Sequence, residues 1–123
     1  MILVVDDDQA ICTLVKTVLE NQGYRVATAA DGVEAFDLVK SATCRCVLLD
    51  MNMPRINGAE LLLLMQAEGL KVPTIVMAGF EGFDEKELKE FGNVVHFLQK
   101  PFSMDDMLKM VKHALAAAAT TGR

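Results

Sequence analysis

Three carboxylates and one amine carry the chemistry legible in this chain. Asp50 follows the apolar run Cys46-Val47-Leu48-Leu49, the pair Asp6-Asp7 follows the apolar run Ile2-Leu3-Val4-Val5, and Lys100 comes after a third apolar stretch, 94–98. If each run is a buried strand, each leads into a charged group. Like charges about 4 Å apart repel by roughly 4 kcal/mol at an effective dielectric near 20. Converging carboxylates therefore call for a hard divalent cation with oxygen ligands, such as Mg²⁺. With Lys100 as a fixed positive charge, the set has the makings of a site that handles phosphate.

The elements that must position these groups can be read from hydrophobic period. The first run is short, continuous and apolar, as in a strand buried on both faces. Ile11, Leu14, Val15, Val18 and Leu19 then recur at helical spacing, and Gly23 fits the stop after Gln22. A strand at 25–29 precedes a helix opened by Asp31-Gly32, with Ala35, Leu38 and Val39 inward. A third strand at 46–49 leads through the loop 50–57 to a helix from about Gly58 to Gln66. Pro73 suits the start of a fourth strand, 74–77, and 94–98 is the fifth. Ser103 and Asp106 form a capping box for the last helix, whose buried stripe is Met104, Leu108, Val111 and Leu115.

Five strands alternating with five helices predict an α/β doubly wound parallel sheet with helices on both faces, joined by right-handed crossovers. In the flavodoxin-like order 2-1-3-4-5 the first and third strands are neighbours, which brings Asp6 and Asp7 to Asp50 at the ligand-binding carboxyl edge. One domain, 1–118, is expected, with 119–123 a tail or truncated linker, and the stretch Ala116–Arg123 reads as a frayed helix end, a cut linker or a natural terminus. The 123 residues are 52% apolar, enough for a core. A net charge of −5 argues against direct nucleic-acid binding by this domain. No run approaches the roughly 20 residues of a membrane span. With no leader sequence evident, a cytoplasmic location is expected. Cys12, Cys44 and Cys46 read as reduced packing residues, since no Cys and His spacing completes a zinc site.

Taken together, Leu3-Val4-Val5-Asp6-Asp7, Leu48-Leu49-Asp50-Met51-Asn52-Met53-Pro54-Arg55-Ile56-Asn57-Gly58 and Lys100-Pro101-Phe102 resemble the receiver domain of bacterial two-component response regulators over essentially the whole chain. The resemblance implies that Asp50 is the phosphoacceptor, taking a phosphoryl group from a histidine kinase, a phosphotransfer protein or a small phosphodonor. It implies that Asp6, Asp7, Asp50 and the backbone carbonyl of Asn52 hold Mg²⁺ or Mn²⁺, directly or through water, and that Lys100 contacts the phosphoryl oxygens. Pro101 would follow a cis peptide bond with Lys100. The output would be an unidentified partner or a C-terminal output domain absent from these residues. Such a domain assists its own phosphoryl transfer and dephosphorylation but is not a turnover enzyme on an external substrate.

One departure stands out. The family carries a Thr or Ser at the end of the fourth strand, and here that position is Ala78. Thr74 lies at the other end of the same strand. A hydrogen bond to a charged group contributes about 1.5–3 kcal/mol, as much as a typical allosteric coupling of about 1–3 kcal/mol. The aromatic switch partner aligns with Phe97, which has no hydroxyl. Gly79 and Gly82 weaken the start of the fourth helix, which is expected to be short or mobile. An altered switch is therefore expected, and the alternative is a degenerate receiver that binds partners regardless of phosphorylation.

Other residues have ordinary readings. Asp8 caps the first helix, and His96 and His113, far apart in sequence, read as surface or half-buried residues. At least one of Leu61, Leu62, Leu63 and Leu64 should face outward. Phe80 and Phe83 read as a local cluster or a partner patch, and Glu85, Lys86, Lys89 and Glu90 as a solvated helix face. A phosphatase of the haloacid dehalogenase type would need an aspartate where Asn52 stands. A flavin carrier would not set Asp6-Asp7-Asp8 against a phosphate.

Overall fold

A computed structural model describes residues 1–41, 44–51, 58–79 and 85–121. The chain alternates β1 (Ile2–Val5), α1 (Gln9–Asn21), β2 (Val26–Ala29), α2 (Gly32–Ser41), β3 (Cys46–Asp50), α3 (Gly58–Ala67), β4 (Thr74–Ala78), α4 (Glu85–Lys89), β5 (Val94–Gln99) and α5 (Met104–Thr121). The strands form one parallel sheet in the order β2-β1-β3-β4-β5. This is the order expected from sequence, and β1 and β3 are neighbours from the Ile2–Cys46 pair to the Val5–Leu49 pair.

Strand alternation sorts the core into two layers. Leu3, Val5, Val47, Leu49 and Val76 point to one face, where Ala35, Val39, Leu61, Leu62, Met65 and Leu88 cover them. Ile2, Val4, Cys46, Leu48, Ile75 and Met77 point to the other, against Val15 and Leu19 of α1 and Met107, Val111 and Ala114 of α5. Every residue of β1 and β3 is buried, which is why both strands read as unbroken apolar runs. The edge strands β2 and β5 are only partly covered.

The helix boundaries follow from local chemistry. Asp8 accepts hydrogen bonds from the Ala10 and Ile11 amides at 3.0 and 3.3 Å, capping α1. Gly23 ends the turn after α1 at φ +91°, a region open to glycine. The Asp106 amide donates to Ser103 Oγ at 3.0 Å at the start of α5. That helix runs to Thr121, and its alanine run favours helix. Leu63 is the outward leucine of α3, 56% exposed. Helix α4 is short, five residues, with Lys86, Lys89 and Glu90 exposed. Phe80 and Phe83 lie outside the described residues.

Gly58 marks a close approach between α3 and the end of β3. A Cβ there would sit 2.6 Å from Met51 Sδ, 2.8 Å from Met51 Cα and 3.0 Å from the Asp50 carbonyl oxygen. Alanine would gain about 1 kcal/mol in helix propensity, but two of the three obstacles are backbone and cannot swing aside. Gly58→Ala is therefore expected to destabilise the fold by about 1–2 kcal/mol net of that gain, read from the urea midpoint.

Candidate functional site

Three strand ends build the site. Asp6 leaves β1 with its amide donating to the Ala29 carbonyl at 3.1 Å. Its own Oδ1 accepts the Asp8 amide at 2.9 Å, which fixes the carboxylate. Asp50 pairs with Met77 at the end of β3, and the next amide, Met51, donates to the Met77 carbonyl at 3.1 Å. Asp6 and Asp50 are buried, at 1% and 4% exposure, while Asp7 is exposed. Ligand oxygens of Asp6, Asp7 and Asp50 all lie within 4.8 Å of one another.

Lys100 enters from β5. Its amide donates to the Ala78 carbonyl at 2.8 Å, and its Nζ donates to Asp6 Oδ2 at 2.8 Å and lies 3.6 Å from Asp50 Oδ2. The Lys100–Pro101 peptide is cis. Burial alone would lower the lysine's pKa, but the hydrogen bond to Asp6 and the charges of Asp50 and Asp6 outweigh it, so the value lies above the ordinary 10.5. A group raised in the folded state stabilises fully below its unfolded value and loses that contribution as pH rises through the folded one. The Lys100 contribution to unfolding free energy is therefore expected to be full up to about pH 10.5 and to be lost above it, so that the fall in that alkaline range is smaller in Lys100→Ala.

The sequence placed Lys100 with the three acids as a fixed positive charge and at a phosphoryl oxygen, but not its particular resting hydrogen bond to Asp6. Ala78, half-buried, is the last residue of β4 and pairs with Gln99. Thr74 is fully buried and donates to the Val72 carbonyl at 3.1 Å, so its hydroxyl is committed at the far end of the strand. Phe97 is half-buried against the α3-side layer, with Lys89 Nζ 5.9 Å above its ring. Asn52 lies outside the described residues.

The buried thiols do not add a nucleophile. Cys12 donates to the Asp6 carbonyl at 3.2 Å, and burial, reinforced by the Asp6 charge, pushes its pKa up to about 11. Burial raises Cys46 to about 12. Both stay protonated packing groups near neutrality. The two histidines are half-buried (His96) and exposed (His113), as read from sequence, and, 17 residues apart along the chain, they also meet at 2.6 Å, His96 Nε2 to His113 Nδ1.

A doubly wound parallel sheet whose carboxyl edge gathers three acids and a lysine is the arrangement of a receiver domain. The chain belongs to the response regulator receiver domain family, whose model matches residues 2–112. It is 36% identical over 115 residues to sporulation initiation phosphotransferase F of Bacillus subtilis, covering 93% of this chain and 92% of that protein. It is 33% identical over 114 residues to response regulator MprA of a Mycobacterium species, strain KMS, covering 93% of this chain but 50% of that protein. The chain thus spans nearly the whole of one curated relative and about half the length of the other. Among solved structures, the Francisella response regulator 1452 receiver domain superposes with a TM-score of 0.86 at 27% identity, over 95% of this chain and 97% of that one. Among the described residues, no helix is long and apolar enough to cross a membrane.

Proposed function

We propose that this receiver domain takes a phosphoryl group onto Asp50 from a phosphohistidine of a histidine kinase or phosphotransfer protein. The observation that supports this is the meeting of Asp6, Asp7 and Asp50 within 4.8 Å beside Lys100. A carboxylate oxygen of Asp50 attacks phosphorus, the P–N bond to the donor imidazole breaks with its electron pair, and Asp50 carries an acyl phosphate. Lys100, already 3.6 Å from Asp50, leaves Asp6 for a phosphoryl oxygen. The three carboxylates are hard oxygen donors of the kind Mg²⁺ or Mn²⁺ takes, and with the carbonyl of Asn52 they would hold it. Bound there, the cation neutralises the charge that gathers on the phosphoryl oxygens.

The metal part is tested by thermal unfolding. Mg²⁺ at about 100 times its Kd is expected to add about 2.7 kcal/mol to the wild type. The gain should shrink in Asp7→Asn and Asp50→Asn, and an equal gain in all three proteins would contradict it.

Donor access favours the α1 side. Ile11, Leu14, Val15, Phe102 and Met104 line an apolar groove that Lys100 borders, and Leu14 is 52% exposed. A partner that brings phosphohistidine to Asp50 must cover the surface around Lys100. Leu14→Glu is expected to slow transfer from a cognate kinase by roughly tenfold or more, the effect of about 1.4 kcal/mol of lost contact. Labelling by acetyl phosphate should be unchanged, and equal slowing of both donors would contradict the assignment.

Ala78 favours an altered output, because no hydroxyl stands at the end of β4 to report the phosphoryl group. The same residue supports the second reading, a module that binds its partner independently of phosphorylation. Either output, through a separate partner or an attached domain, suits a cytoplasmic signalling protein.

A further inference from the structure

The histidine contact is built by an irregularity in β5. Thr74 pairs with Val94 and Ile75 with His96, so Val95 is an extra residue between them. Such a bulge re-aims the side chains that follow. Val94 belongs to the α3-side layer, whereas Leu98 packs in the layer with α5. His96 shares the Leu98 alternation and meets His113 of α5, with ring centroids 4.8 Å apart and planes tilted by 48°. His96 is half-buried and His113 exposed.

Two imidazole nitrogens at 2.6 Å can face each other only if a proton, or something replacing it, lies between them. We propose that His96 and His113 form a two-imidazole chelate for a borderline divalent cation, Zn²⁺, Ni²⁺ or Cu²⁺, separate from the acidic cluster. Imidazole nitrogen suits these ions, whereas the carboxylates of Asp6, Asp7 and Asp50 suit Mg²⁺ and Mn²⁺. Ligand type would thus sort cations between two places on one domain. The cation takes the place of the shared proton: the ring that donated it shifts to its other tautomer through solvent, so two neutral imidazoles offer their lone pairs with no net loss of a proton. A modest rotation of the exposed His113 ring makes the room. Water fills the remaining positions, since one side of the pair is open to solvent.

Burial first, and then the His113 charge, lower the His96 pKa from 6.5, which keeps its lone pair available near neutrality. The bound ion would tie β5 to α5. It would do so on the strand that also carries Phe97 and leads into Lys100.

The test is a calorimetric titration of tag-free protein with Ni²⁺ or Zn²⁺ in saturating Mg²⁺, so that the acidic cluster is already engaged. One equivalent should bind, with the ring resonances of both histidines perturbed. His113→Asn, a change at an exposed position, should weaken binding by about tenfold or more while leaving the Mg²⁺ response intact. His96→Asn should behave alike, and Asp50→Asn should keep the site. Unchanged affinity in His113→Asn, loss of binding in Asp50→Asn, or no binding in Mg²⁺ buffer would each overturn the proposal.

Discussion

Lys100→Ala is expected to destabilise the metal-free domain by about 2–4 kcal/mol and to lose much of that penalty in saturating Mg²⁺. Lys100 is the positive end of an ion pair whose Asp6 side chain is fully buried and whose lysine side chain is 25% exposed. Removing one partner of a buried pair costs about 3–5 kcal/mol because the remaining charge is left uncompensated, and the partial exposure lowers that figure. The variant also leaves Asp6, Asp7 and Asp50 together without their cationic neighbour, at a mutual repulsion of roughly 4 kcal/mol per pair at 4 Å and a dielectric near 20. A divalent cation relieves the same repulsion, so Mg²⁺ should bind the variant more tightly than the wild type. Urea unfolding with and without Mg²⁺ checks both statements. An equal penalty under the two conditions would mean that Lys100 matters through packing instead of charge.

Ala78→Thr is expected to strengthen the response to phosphorylation. Residue 78 ends the strand beside Asp50, one step beyond the Asp50–Met77 pair, and its carbonyl already holds the Lys100 amide. Threonine is at home in a strand, so the fold should tolerate it. A hydroxyl there that reaches a phosphoryl oxygen contributes about 1.5–3 kcal/mol, which is about ten- to a hundredfold in the balance of two conformations. Amide exchange over 79–97, compared before and after phosphorylation, should change more in the variant than in the wild type. Identical exchange patterns in both states of both proteins would point to a mute switch and to the phosphorylation-independent module.

The sheet was legible because β1 and β3 are buried on both faces, leaving no polar residue to interrupt Ile2–Val5 or the run before Asp50. The convergence of Asp6, Asp7 and Asp50 followed from strand order alone, since neighbouring parallel strands in register end at the same edge. What escaped the sequence depends on small geometric offsets. The extra Val95 changes which way His96 faces, and a period-of-two reading has no means to register an inserted residue. The resting partner of Lys100 was hidden for a different reason. Its long side chain chooses between Asp6 and Asp50 by distances of 2.8 and 3.6 Å, a difference far below what spacing along a chain can resolve.

The measurement that bears most directly on the central claim is the intact mass of the purified domain after incubation with acetyl phosphate and Mg²⁺. Asp50→Asn and a chelated sample run beside it. A single phosphoryl adduct in the wild type, absent from the variant and from the chelated sample, is the expected result. A folded wild type that gains no adduct, or an adduct that persists in Asp50→Asn or without metal, would contradict phosphoryl transfer to Asp50.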